Sequence, residues 1–417
     1  MQRVDATAPG GRPARSSVGE PPLGKHVRQA WTAAADPEAA TRDLARGLGD
    51  GPFALILLFV SPDRDRAALS AALEATPVFA AGPVIGCTTA GEITSQGYDE
   101  GCIVAVGLPA ADFSAAVAFV PDLESYQLDR GRELVQRLRM DLAAAPAAFD
   151  NEFAVLMADG LSLREDALVA SLGPSLGATQ LIGGSAADAL DFSQTAVLHD
   201  GRFHGDAAVL ALVRTRMRVE VFRFDNYTPT ERRMVVTAAD PEQRLVSEIN
   251  AEPAAREYAR LVGKDPEQLS PLTFAAHPVV VRVGGQHHVR SIQRIEETGE
   301  LRFFSAIDEG LVLTVADALD IAEHLDEALS ALNEAGAPDA ILGFDCALRR
   351  IEVEQSQLAG RVSEILSRHG VVGFNTFGEQ HNMLHVNQTF TGVALYPPAC
   401  GAEAGPDSGP GAGEDDG

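Results

Sequence analysis

The amino-acid sequence predicts a mixed α/β (α+β) fold made of two related halves, in which β-α-β-β units recur around mixed sheets. Short apolar runs have the length of buried strands, stretches of helical periodicity lie between them, and the same order of elements appears three times. The chain has 417 residues, of which 46% are hydrophobic, and this is enough to bury several cores.

Each of the three units consists of an apolar strand, a helical stretch, a glycine-containing segment and a second strand. In the first unit these elements are residues 54–60, 64–75, 83–92 and 102–108. In the second unit they are residues 153–157, a helix that starts near residue 164, and residues 181–188 and 207–213. In the third unit they are residues 340–344, 352–368, 371–379 and 388–395.

The region between the second and third units has a different pattern. Because proline is favourable at the first position of a helix, Asp240-Pro241 predicts a helix that runs toward Asn250. The pattern then predicts a short helix, two strands joined by a turn, and an amphipathic helix, over residues 254–262, 279–283 with 289–295, and 313–333.

We expect a boundary near residue 250, with one half over residues 25–250 and the other over residues 251–397. Residues 1–24 mix Pro, Gly, Arg and Ser, and residues 398–417 are largely low-complexity and acidic. Both segments are predicted to be disordered, because such compositions cannot bury enough apolar surface to fold.

The chain is strongly acidic, with 33 Lys and Arg against 59 Asp and Glu and a net charge of −26. Such a surface repels phosphate backbones and anionic headgroups, so nucleic acids and membrane surfaces are not expected partners. The longest apolar run, residues 53–60, is far shorter than the ~20 residues that span a bilayer, and no signal peptide is visible. The sequence therefore predicts a soluble, cytoplasmic protein.

The glycine-containing segment of each unit ends in glycine and small or polar residues. These residues are Gly86, Cys87 and Thr88 in the first unit, Gly183, Gly184 and Ser185 in the second, and Gly373, Phe374 and Asn375 in the third. Glycine permits a close approach of the backbone, so the segments are either tightly packed turns or the rim of one shared ligand site.

A carboxylate follows each glycine-containing segment, at Glu92, Asp188 and Glu379. These residues would act as general acids and bases, or accept hydrogen bonds from an amine or guanidinium ligand. Acidic residues are also common in turns and at the N-termini of helices, so a purely structural role is an equal alternative.

The segment from His381 to Thr391 differs from the other histidine-containing segments, which fall in predicted turns or at helix ends. With the period of two of a strand, His385, Asn387, Thr389 and Thr391 share one face. This face is either a solvated edge or the floor of a polar site.

A hydrolase motif is present in the wrong context. Residues 173–177 match G-x-S-x-G around Ser175, but they follow a helical stretch and precede a strand, the reverse of a nucleophile elbow. Hydrolysis is therefore the weakest hypothesis, and we do not expect an enzyme.

The sequence resembles the FIST family of bacterial sensory proteins over about residues 50–397. The resemblance rests on residues 85–92, 181–188 and 344–349, and above all on Gly373-Phe-Asn-Thr-Phe-Gly-Glu379 followed by His385-Val-Asn-Gln-Thr-Phe-Thr391. It implies an N-terminal and a C-terminal FIST domain. With Glu257-Tyr258 between the halves, the chain is similar to the nitric-oxide-sensing members of the family.

That resemblance implies a non-covalent haem b that binds nitric oxide, and regulation of a histidine kinase, a diguanylate cyclase or a phosphodiesterase. His385 would be the axial ligand, with His381 as the second candidate, and arginines such as Arg349 and Arg350 would have to pair with the propionates. A homodimer is a further expectation. The alternative is a haem-free module for a small polar metabolite such as an amino acid, bound by Gly86, Cys87, Thr88, Glu92, Gly184, Ser185, Asp188, Arg349, Asn375, Glu379 and Asn387.

Overall fold

A computed structural model describes residues 25–398 apart from residues 190, 284 and 335. The predicted disordered segment 1–24 and residues 399–417 of the predicted acidic tail lie outside the described residues. Within the described part, the prediction of a mixed α+β fold with several mixed sheets is confirmed.

The first unit extends beyond its predicted core by a strand and a helix at its start. Its elements are β1 (Arg28–Thr32), α1 (Pro37–Leu48), β2 (Phe53–Val60), α2 (Arg66–Ala75), α3 (Pro77–Ala80), β3 (Val84–Thr88), β4 (Glu92–Thr94), β5 (Gly97–Asp99) and β6 (Ile103–Pro109). The Asp36 and Asp65 side chains cap α1 and α2 by accepting hydrogen bonds from backbone N–H groups of the first turn.

The second unit repeats this order. Its elements are β7 (Phe113–Val120), α4 (Arg130–Asp141), β8 (Asn151–Asp159), α5 (Glu165–Leu176), β9 (Gln180–Ala186), β10 (Val197–His199), β11 (Arg202–His204) and β12 (Ala208–Thr215). Ser175 lies in the last turn of α5 and not on a strand-to-helix turn, so the geometry of a nucleophile elbow is absent at this residue.

The third unit begins with β13 (Arg218–Asp225) and is then interrupted by residues 227–318, which we call the insert. The insert contains β14 (Tyr227–Asp240), β15 (Leu245–Ile249), β16 (Glu252–Pro253), α6 (Ala254–Val262), α7 (Pro271–Ala276), β17 (Val279–Val283), β18 (Gln286–Arg290), β19 (Ile292–Ile295), β20 (Leu301–Phe303) and β21 (Val312–Ala318). Its strands form one antiparallel sheet.

Two helix predictions in and after the insert are wrong. The predicted helix from Asp240 is a turn between β14 and β15, in which the Arg244 nitrogen donates to the Pro241 oxygen at 3.3 Å. Proline is common in turns as well as at helix starts. The predicted helix over residues 313–333 begins as strand β21, and the helix starts only at Ile321, after the capping residue Asp320.

The rest of the third unit follows the common order. Its elements are α8 (Ile321–Ala331), β22 (Ala340–Cys346), α9 (Ala347–Gln355), α10 (Ala359–Arg368), β23 (Val371–Thr376), β24 (Glu379–His381), β25 (Leu384–Val386) and β26 (Thr389–Tyr396). The predicted single helix over residues 352–368 is thus two helices, which are separated by Gln357 with its φ of 58°.

The three units exchange hairpins with one another in a closed ring. In each unit the first core strand pairs in parallel with the next strand, as β2 does with β3, and antiparallel with the last, as β2 does with β6. The hairpin β4–β5 of the first unit pairs with strand β23 of the third unit. The hairpin β10–β11 of the second unit pairs with strand β3 of the first unit. The hairpin β24–β25 of the third unit pairs with strand β9 of the second unit. Each sheet is therefore completed by a neighbouring unit.

The central core lies where the inner faces of the three sheets meet. In β2, Leu55, Leu57 and Phe59 face this core, whereas Ile56 and Leu58 pack outward against α1 and α2. Such two-sided burial explains why the strand is an unbroken apolar run. Phe59 also contacts Phe344 and Phe374 of the third unit, which ties the units together through their aromatic rings.

The first glycine of each segment allows two parallel strands to pack closely against each other. A Cβ atom at Gly86, Gly183 or Gly373 would lie 2.0, 1.8 or 1.8 Å from a carbonyl oxygen of the neighbouring strand. Because only a residue without a side chain fits there, the repeated glycine is explained by the fold itself.

Candidate functional site

The three segments predicted as a rim do meet at one end of the ring. Asn375 exchanges backbone hydrogen bonds with the loop of the first unit, donating to the Gly91 oxygen at 2.7 Å and accepting from the Ala90 nitrogen at 2.8 Å. Thr88 of the first unit accepts from Ala187 of the second at 2.9 Å. The space between the segments is occupied by protein, since a Cβ atom at Gly184 would lie 2.8 Å from the Phe374 ring.

Several of the predicted ligand-binding residues are committed to contacts within the fold. Cys87 is buried in the central core, and the Thr88 hydroxyl accepts a hydrogen bond from the Ala196 nitrogen at 3.1 Å. The Arg349 guanidinium donates to Asp345 at 2.8 Å and to Asn226 at 2.5 Å. These contacts give Cys87, Thr88 and Arg349 structural roles.

The carboxylates after the segments are buried hydrogen-bond acceptors. Glu92 accepts from the Cys102 nitrogen at 3.0 Å, Glu379 accepts from the Thr389 hydroxyl at 2.6 Å, and Asp188 accepts from backbone N–H groups of residues 192–194. Burial raises the pKa of Glu92 to about 8 and raises the pKa of Glu379. One oxygen of Glu379, Oε1, has no hydrogen-bond partner among the described residues.

Glu92→Gln is expected to weaken the pH dependence of stability between about pH 4.5 and pH 8. In this window the buried Glu92 keeps its proton in the folded protein and loses it in the unfolded chain, so the free energy of unfolding falls as the pH rises. The residue contributes a slope that approaches about 1.4 kcal/mol per pH unit. Urea unfolding at several pH values measures it, with Glu38→Gln on the exposed face of α1 as the control. An unchanged slope in Glu92→Gln would contradict the assignment.

The predicted polar face over residues 385–391 is interrupted in the structure. Strand β25 ends at Val386, and Gln388 has a φ of 51°, so residues 385–391 are not one continuous strand. His385 and Asn387 still lie together, because both side chains abut Gly378, whereas Thr389 turns to Glu379.

A buried cluster of polar side chains lies between the hairpin β24–β25, the start of α5 and the insert. His385 is 2% exposed and lies 3.5 Å from the Gln380 amide, which in turn donates to the Ser185 hydroxyl at 2.9 Å. Ser185 donates to Glu165 at 3.3 Å, and Arg244 of the insert pairs with Glu165 at 2.6 Å. We call this group of five residues the chamber.

The chamber contains buried polar atoms without a partner among the described residues. They are Nε2 of His385, Oε1 of Gln380 and Nε of Arg244. Burial lowers the pKa of His385, so its imidazole is neutral. Arg244 also has a φ of 56°, a conformation that residues other than glycine rarely adopt and that recurs at functional sites. Buried polar atoms without partners are rare in folded proteins, and the lining of a ligand site is one place where they occur.

The segment that follows His385 is hydrogen-bonded to the insert. The Ser305 hydroxyl donates to Asn387 at 2.7 Å, and the Ser291 hydroxyl donates to Gln388 at 2.8 Å. The Gln388 amide donates to the Tyr227 hydroxyl at 3.0 Å. The segment that carries His385 is therefore attached to the insert through its two following side chains.

The residues around His385, as arranged, do not fit a porphyrin. Haem needs a flat apolar slot on both sides of the ring, whereas this imidazole is enclosed by Gln380, Asn387 and the backbone at Gly378. His381 lies on the opposite face of the hairpin, because Gln380 pairs with His385 and neighbouring residues of a strand alternate. Burial lowers the pKa of His381 to about 4, and its Nδ1 has no partner among the described residues.

Sequence reasoning finds one part of the chamber and misses the other. His385, Ser185 and nearby Asn387 are among the predicted residues. Arg244 and Glu165 are not, because an arginine in a misassigned turn and a glutamate at a helix start carry no local signal of a site. Gln380 follows the predicted Glu379 directly. Its side-chain amide, which can both donate and accept hydrogen bonds, is the signal that could have indicated Gln380 as a site residue.

Comparison with protein families finds two matches. The FIST N domain matches residues 54–252, and the FIST C domain matches residues 254–382. No curated protein matches the chain. Both matched regions contribute to the chamber, whereas His385 lies three residues beyond the second match.

Proposed function

Because the chain belongs to the FIST family, whose domains are sensory modules in signal transduction, we propose that it senses a small polar ligand in the chamber around His385. The observation that supports this proposal is the cluster of unpartnered buried atoms on His385, Gln380 and Arg244. Each such atom costs about 1–3 kcal/mol, and a ligand with donor and acceptor groups would remove that cost.

The signal then passes from the chamber to the insert and from there to a partner protein. The hydrogen bonds of Asn387 and Gln388 to Ser305, Ser291 and Tyr227 support this route. We propose a histidine kinase, or a cyclase or phosphodiesterase of cyclic-di-GMP, as that partner. In the part of the chain that the structure describes, no helix is long and apolar enough to cross a bilayer.

Thermal unfolding of the full chain with a panel of amino acids and other small polar metabolites tests the ligand proposal. A compound that binds the folded state at 100 times its Kd stabilises the protein by about 2.7 kcal/mol. We expect such a compound in the panel, and we expect His385→Ala to lose the effect. His324→Ala, on α8 in the third unit, is the matched control and keeps it. The proposal fails if no compound stabilises the wild type, or if His385→Ala responds equally.

Haem with nitric oxide is the second candidate function, and it requires the residues that enclose His385 to move apart, because as arranged they leave no slot for a porphyrin. It is favoured by one observation, the neutral His385 imidazole with its unpartnered Nε2, which is the form that ligates iron. Haemin added to the full chain would then give a Soret band that nitric oxide shifts and that His385→Ala lacks. A spectrum identical to that of free haemin excludes this candidate.

A further inference from the structure

The two arginines near His385 differ in how their charges are balanced. Arg244 pairs with Glu165 at 2.6 Å and with Asp166 at 3.3 Å. Arg290, at the end of β18, donates through Nη1 to the His385 oxygen at 3.1 Å and forms no ion pair with any carboxylate of the described residues. Arg290 therefore carries a positive charge that the described part of the protein does not neutralise by direct contact.

That charge is partly removed from water. Arg290 is only half-buried as a residue, but desolvation lowers the pKa of its guanidinium. Arginine keeps its proton nevertheless, and a guanidinium offers five N–H donors in a planar fork. Its hydrogen bond to His385 occupies one of them. A desolvated cation without a counterion is costly, so an anion at this position would be stabilising.

Arg290 is also more exposed than the other polar residues around His385. Arg290 and Asp166 are half-buried, whereas His385, Gln380 and Arg244 are 2% exposed or less. A ligand that comes from solvent would thus meet Arg290 first, and its remaining groups would reach the unpartnered atoms deeper in the chamber.

We propose that the ligand of the chamber carries an oxyanion, a carboxylate or a phosphate, which pairs with the Arg290 guanidinium. The proposal rests on the proposed ligand-binding function and adds the chemical class of the ligand. A local cation is needed for such a ligand, because the chain as a whole has a net charge of −26 and repels anions at long range.

Acetate and acetamide, which have nearly the same shape and differ in charge, provide the test on the full chain. At equal ionic strength and pH, acetate at about ten times its Kd is expected to raise the Tm by about 2 °C, and acetamide is not. Arg290→Gln removes the acetate effect, and Arg290→Lys keeps part of it, because the charge remains without the fork. Arg282→Gln, on an exposed residue of the same sheet, is the matched control and responds as the wild type does.

The same measurement with inorganic phosphate distinguishes a carboxylate ligand from a phosphate ligand, because the anion that fits better gives the larger increase in Tm. The proposal is overturned if acetamide stabilises as much as acetate, if Arg290→Gln keeps the acetate and phosphate shifts, or if neither anion stabilises the wild type. A neutral metabolite that stabilises the wild type and not His385→Ala would leave the sensory function standing while this inference fails.

Discussion

Arg244→Met is expected to lower the free energy of unfolding by about 3–5 kcal/mol, because it leaves a buried carboxylate without its counterion. Glu165 is 1% exposed and pairs with Arg244 at 2.6 Å. The arginine lies in the insert and also donates to the Phe304 oxygen there, so its loss weakens the insert itself as well as the contact of the insert with Glu165 of α5. Urea unfolding of both proteins at the same pH measures the difference.

Two further variants make this test specific for the buried charge. Arg244→Met combined with Glu165→Gln removes both charges, and it is expected to recover part of the lost stability. Arg42→Met, which breaks an exposed ion pair with Glu38 on α1, is expected to cost less than about 1 kcal/mol. If Arg244→Met costs no more than Arg42→Met, the buried ion pair does not stabilise the fold.

Gly183→Ala is expected to destabilise the protein by a comparable amount, about 3–5 kcal/mol. The added Cβ would lie 1.8 Å from the Leu156 oxygen of the neighbouring parallel strand, and neither backbone can move without disturbing the central core. Thermal and urea unfolding measure the effect.

Gly360→Ala is the matched control for this substitution. Gly360 lies near the start of α10 with no atom within 4 Å of an added Cβ. Alanine is there expected to stabilise the protein by about 0.5–1 kcal/mol, since it favours the helix. If Gly183→Ala were tolerated as well as Gly360→Ala, strands β8 and β9 would not approach each other as closely as described.

The three units can be predicted from sequence because their strands are unbroken apolar runs with a glycine at the same place. The exchange of hairpins cannot, because strands such as β4 and β5 have three residues each and pair with a strand in another unit. The insert is also misread in two places. Pro241 fits a helix start and a turn equally well. The apolar residues of β21 and α8 can be read as one helical stripe, although the exposed residues 317–320 separate the two elements.

The candidate site is predictable only where its residues are close in sequence. His385 and Asn387 stand out because polar side chains alternate there in an otherwise apolar region. Arg244 and Arg290 come to the same place through the fold of the insert, whose position against the hairpin β24–β25 depends on contacts that the sequence pattern does not encode. The glycine-containing segments, by contrast, are easily recognised in the sequence. Their first glycines are explained by close packing of strands and do not indicate a ligand site.

The ring of exchanged hairpins makes the two matched regions complementary fragments. Residues 54–252 contain the hairpin β4–β5 but not β23, the strand with which it pairs, and they leave β9 without the hairpin β24–β25. Each fragment would expose the edge that the other covers, and open sheet edges promote aggregation. The two regions are thus interdependent, and neither is expected to fold on its own.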